Sequence, residues 1–193
     1  MELCVCTFDL ESDMLCPSCQ RKLDRGEITK FDVDFSAWLF DRAEQYSGIE
    51  NLHLLRAIRT SNYVVLVVER GQSDMIFSNE NLVEDIEDDF GELMVIEGPI
   101  KMRSLIKKLI EPAVEVGINS LYLPDGTKES IVMLREEDRK RLQYDPENLG
   151  KIISAVTGYQ VIFDFQKEEE EKDEEKADSF SEKMKEFSRK RRF

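Results

Sequence analysis

The chain has 193 residues, a formal charge of −14 and 41% hydrophobic residues, which suits one ordinary domain or two to three small modules. Such acidity gives no general attraction to phosphates, so any RNA contact needs a local basic surface. No stretch approaches the ~18–20 continuous apolar residues of a membrane span, and no basic n-region leads into an apolar run, so a cytoplasmic protein without membrane association is expected.

All four cysteines stand near the N-terminus, at Cys4, Cys6, Cys16 and Cys19. Thiolates that close in sequence can surround a zinc ion tetrahedrally, with Zn–S distances of ~2.3 Å. Cys16-Pro-Ser-Cys19 forms a tight knuckle that turns both sulfurs inward. In an extended Cys4-Val-Cys6 the two Cα atoms would lie roughly 6.6 Å apart, so the chain there must bend. Asp9, three positions after Cys6, offers an oxygen in a Cys-x-x-Asp frame and is the alternative to Cys4. A structural Zn²⁺ held by Cys4, Cys6, Cys16 and Cys19 is therefore expected over residues 1–30. Competing readings are a disulfide, free thiols, and a redox pair, which needs a βαβ context.

A short polar helix is expected at Gln20–Glu27, then a longer one at Asp32–Tyr46 with Phe35, Trp38, Leu39 and Ala43 at helical spacing. Leu52–Arg59 and Tyr63–Val68 read as strands around a Thr60-Ser61-Asn62 turn. Gly71-Gln-Ser-Asp-Met-Ile-Phe77 comes next, then Ser78-Asn-Glu-Asn81 and a helix through Leu82, Val83, Ile86 and Phe90, then a strand at Glu92–Glu97. Residues 32–97 thus read α-β-β-α-α-β. A basic helix at Ile100–Ile110 leads into a second β-β-α-α-β pattern. Its strands are Ile118–Leu123, Ser130–Arg135 and Tyr159–Asp164, with a Pro124-Asp-Gly-Thr127 hairpin turn. Its helices are Glu136–Leu142 and one from Asp145 through Val156. From Gln166 onward, an acidic block at Glu168–Glu175 precedes a basic end at Lys183–Arg192, and a solvated, disordered tail is expected.

This order, with its Leu-Cys-Pro-x-Cys-Gln segment and later Pro-Asp-Gly, resembles the archaeal NusA-like proteins with type II KH domains. The resemblance implies an α+β fold with a zinc knuckle (1–30), a degenerate KH-like domain (31–98), a second KH-like unit (99–165) and a charged tail (166–193). KH domains hold the nucleic-acid backbone with a Gly-x-x-Gly loop. Here Ser78-Asn79-Glu80-Asn81 stands at that position, followed by an acidic helix, and Tyr144–Asn148 in the second unit also lacks both glycines. The clamp is therefore carried onto no residue.

The function expected is a non-catalytic factor bound to RNA or a ribonucleoprotein, such as the ribosome or the transcription machinery. Its contacts would be Lys101, Arg103, Lys107, Lys108, Arg139, Lys140 and Arg141. The alternative is an adaptor whose acidic surface docks on a basic protein. No phosphate-cradling glycine loop or nucleophile–His–acid set is visible, so an enzyme is not expected.

Overall fold

The structure, a computed structural model, describes residues 1–12, 14–122 and 128–166. The Pro124–Thr127 turn and the tail beyond Gln166 lie outside the described residues. The fold is α+β, with two three-stranded sheets built to one plan. In the first, β1 (Leu54–Arg59) pairs antiparallel with β2 (Tyr63–Glu69), and β2 pairs parallel with β3 (Glu92–Gly98). In the second, β4 (Gly117–Tyr122) pairs antiparallel with β5 (Lys128–Arg135), and β5 pairs parallel with β6 (Gln160–Gln166). The middle strand is the second in both sheets, so β3 and β6 are edges.

Each parallel pair needs a crossover, which helices supply. In the first unit these are α4 (Ser73–Phe77) and α5 (Glu80–Phe90), and in the second a 3₁₀ turn (Glu136–Arg141) and α7 (Pro146–Thr157). The linking helix α6 (Met102–Ile110) joins the units. Three helices precede the first sheet: α1 (Thr7–Ser12), α2 (Pro17–Asp24) and α3 (Lys30–Arg42). The sequence reading has no counterpart of α1, whose six residues bury only Asp9 and so carry no apolar period.

Strand β2 explains the layering. Its run Tyr63-Val-Val-Leu-Val-Val68 is apolar on both faces, as in a strand covered from both sides. Val64, Leu66 and Val68 pack on one side with Phe35, Leu39, Ile76, Leu82 and Ile86, the inner faces of α3, α4 and α5. Val65 and Val67 face the other way, into a second core with α6, α7 and the inner face of the second sheet, including Val132, Leu134 and Val161. The two units therefore share a core. A third, small cluster of Val5, Cys19 and Ile28 sits under the cysteine segment.

Asp32 ties α3 to the first sheet. Within the Thr29 capping box its carboxylate accepts the Thr29 N–H and hydroxyl at 2.6 and 2.8 Å. It also accepts the Ala57 N–H at 2.7 Å and Arg56 Nε at 3.1 Å. β1 is an edge strand, so its Ala57 N–H is free to meet this fully buried carboxylate.

Candidate metal centre and basic surfaces

The chain from Cys6 to Cys19 folds back through two short helices. In α2, Pro17 occupies the first turn and Cys16 is the N-cap, its sulfur accepting the Cys19 N–H at 3.5 Å. This places Cys16 and Cys19 together at a helix N-terminus, which favours the thiolate of Cys16. Helix α1 sets Asp9 one turn after Cys6, and Asp9 Oδ1 accepts the Cys16 N–H at 2.9 Å. The ligand atoms of Cys6, Asp9, Cys16 and Cys19 all lie within 4.8 Å of one another.

The four residues fit a tetrahedral metal ion. Sulfur atoms around zinc stand about 3.8 Å apart at normal Zn–S lengths, and Cys6 Sγ and Cys16 Sγ are 3.9 Å apart. Asp9 is 4% exposed, yet its Oδ2 is buried without a hydrogen-bond partner. A buried carboxylate oxygen left without a partner is costly, and a cation would satisfy it. Three sulfurs with one carboxylate suit zinc better than the hard cations calcium or magnesium.

Proton affinities follow the same geometry. Burial, then the nearby Asp9, pushes the Cys19 thiol up to about 12. Cys6 is raised chiefly by its hydrogen bond to Asp9. Cys16 is lowered, first by the Cys19 backbone N–H. Burial opposes ionisation of Asp9, but the adjacent Cys19 and Cys6 thiols and the Cys16 N–H bring it below the usual carboxylate range.

Cys4, expected as a ligand, is elsewhere. Glu2 bridges to β1, its N–H donating to Leu52 O and its carbonyl accepting the Leu54 N–H, both at 2.8 Å. This threads Cys4 into the main core, 6% exposed, with its thiol donating to Leu54 O at 3.7 Å. Burial, then the Asp32 charge, pushes that thiol up to about 12. The fourth residue of the cluster is Asp9, on the Cys-x-x-Asp spacing that mirrors Cys16-x-x-Cys19.

The basic residues expected to face RNA are mostly engaged. Arg103 and Lys107 both reach Glu115, at 3.5 and 3.3 Å, and the Glu115 side chain is 7% exposed. Arg139 pairs with Glu136 and lies over the Phe165 ring, and Arg141 pairs with the buried Asp138. Lys101, Lys108 and Lys140 are exposed and form none of these pairs.

A groove of about 770 Å³ runs between α7 and the edge strand β6. Its lining includes Lys151, Ala155, Tyr159, Val161 and Phe163. Helix and strand approach closely because Gly150 has no side chain: a Cβ there would meet Val161 O at 2.7 Å. Sequence reading missed this groove, whose only local signal is a glycine inside an otherwise apolar helix.

No family model and no curated protein matches this chain. A solved structure titled "Crystal structure of APE1850" superposes with a TM-score of 0.49 at 16% identity, covering 65% of this chain and 96% of that one. Similarity at that level carries no functional information.

Proposed function

We propose that this protein is a non-catalytic factor that binds RNA or a ribonucleoprotein through its second β-β-α-α-β unit, with a structural zinc ion closing the N-terminal knuckle. The observation that carries the reading is the α7–β6 groove. It is apolar along its floor, with Tyr159 half-exposed and Lys151 on α7. Unstacked bases bind to such aromatic and apolar surfaces, while flanking lysines meet the phosphates. The repeated strand plan and the resemblance to type II KH domains support the same reading. In the first unit α5 carries six carboxylates and no base, so the phosphate path is assigned to the second unit alone.

Zinc, when bound, would be held by Cys6, Asp9, Cys16 and Cys19 and would contribute folding energy. Four protein ligands leave no open position for catalysis.

Binding of single-stranded RNA oligonucleotides across a salt series tests the proposal. A Kd that weakens with salt with a slope of a few phosphate contacts, and that rises on Lys151→Glu, is expected. No affinity for RNA or ribosomes at low salt would overturn it. The second reading, an adaptor for a basic protein, draws on the acidic face of α5 and is favoured if co-purification survives nuclease.

A further inference from the structure

Helix α5 contradicts the usual rules for helix charge. Between Glu80 and Phe90 it holds Glu80, Glu84, Asp85, Glu87, Asp88 and Asp89. Pairs four apart, such as Glu80 with Glu84 and Glu84 with Asp88, repel each other, and acids at the C-terminal end oppose the helix dipole. Three of the six are engaged, Asp85 by the Tyr46 hydroxyl, Asp89 by Trp38 and Arg42, and Glu87 by the Leu93 N–H at 3.3 Å. Among the described residues, Glu80, Glu84, Glu87 and Asp88 form no ion pair within 4.0 Å. These four line a hollow of about 270 Å³ whose apolar part is Phe77 and Val83. Phe77 is 52% exposed. An apolar floor rimmed by carboxylates without an ion-pair partner complements a basic, amphipathic segment.

This chain contains one. In the sequence of residues 180–193, Phe180, Met184 and Phe187 fall at i, i+4 and i+7, the spacing of a helix-in-groove ligand. Lys183 and Lys185 flank Met184, and Arg189, Lys190, Arg191 and Arg192 follow Phe187, against two acids, Glu182 and Glu186. The tether from Lys167 to Ser179 can extend about 45 Å, whereas a body of this size has a radius of gyration of about 15 Å, so the segment can reach any face. The tether's acidic block, Glu168–Glu175, has the same sign of charge as α5, so charge complementarity favours the basic end.

We propose that residues 180–193 dock in the same chain on the α4–α5 face, with Phe187 and its apolar partners against Phe77 and Val83 and the bases against Glu80, Glu84, Glu87 and Asp88. The contact is electrostatic and covers the acidic surface when no stronger cationic partner is present.

Photo-crosslinking of the full chain with a benzophenone amino acid in place of Phe187 tests this directly. At low salt the adducts are expected within residues 73–90, with a yield independent of protein concentration. Raising ionic strength to about 0.5 M shortens the screening length to a few Å, and the yield should fall at least about fivefold. Glu84→Lys with Asp88→Lys should lower it about tenfold, a loss of about 1.4 kcal/mol. Arg189→Glu with Arg191→Glu should do the same without altering α5, separating lost docking from lost folding. Adducts on the tail's own acidic block, on added RNA, on a basic partner or on a second copy of the chain would overturn the proposal. So would a yield indifferent to both charge reversals.

Discussion

The backbone N–H of Cys16 donates to Asp9 Oδ1 at 2.9 Å, and this bond decides which four side chains converge. It pulls α1 against the start of α2, aligns Cys6 with Cys16 and Cys19, and leaves Asp9 Oδ2 buried and open to a cation. The knuckle rests on its own small cluster of Val5, Cys19 and Ile28, separate from the two larger cores.

That separation predicts how metal loss behaves. The ligands must shed their protons to bind, so metal affinity falls as pH falls. Chelation, or acidification short of global unfolding, should expose amides of residues 6–28 to hydrogen exchange while β2, β3 and the Glu2 amide, held by Leu52 O, stay protected. Equal loss of protection in β2 would show that the knuckle and sheet unfold together.

Asp32 is the next test. Its carboxylate serves Thr29, Ala57 and Arg56 at once from a fully buried position. Asp32→Ala leaves two backbone donors and a guanidinium without an acceptor and should cost about 3–5 kcal/mol in denaturant unfolding. A loss below about 1 kcal/mol would show that water replaces these bonds.

Tyr46 gives a pH signature. Its hydroxyl donates to Asp85 Oδ2 at 2.6 Å, and burial, then that carboxylate, pushes it up to about 12 from an ordinary 10.0. The folded state holds this proton more tightly than the unfolded one. The stability gained is therefore complete below about pH 10 and lost as pH rises toward 12. Tyr46→Phe should cost about 1 kcal/mol at neutral pH and flatten the alkaline fall in stability over that window. An unchanged alkaline limb would assign the loss to other groups.

For the basic surfaces, the ion pairs predict two kinds of mutant. Arg103→Ala with Lys107→Ala strips the partners from Glu115, whose side chain is 7% exposed, and should lower stability with little change in RNA affinity. Lys140→Glu with Lys151→Glu should weaken RNA binding and reduce its salt slope by about 2 while leaving unfolding unchanged. The reverse pattern would move the RNA face to α6.

Much of the fold is legible in the sequence where one rule dominates. The β-branched run at Tyr63–Val68 reads as a strand because nothing else accommodates so many such residues, and the apolar spacing of Leu82, Ile86 and Phe90 reads as α5. Of the knuckle, Cys6, Cys16 and Cys19 are legible from spacing. Cys4 is not, because its place depends on Glu2 pairing with a strand fifty residues away. Arg103 and Lys107 look free in sequence because their partner Glu115 lies beyond a chain reversal after α6. The acidic character of α5 is plain in sequence, but not that Phe77 is left exposed beside it.

In the proposed zinc site the fourth ligand is Asp9 rather than Cys4, because Asp9 stands with Cys6, Cys16 and Cys19. Zinc content per chain, measured on purified Cys4→Ala and Asp9→Ala proteins under a competing chelator, tests it most directly. Cys4→Ala should lose about 1 kcal/mol of stability from its core position and keep one zinc per chain. Asp9→Ala should lose at least about a hundredfold in zinc affinity, with Asp9→Cys restoring it. Zinc lost from Cys4→Ala and retained by Asp9→Ala would contradict the account.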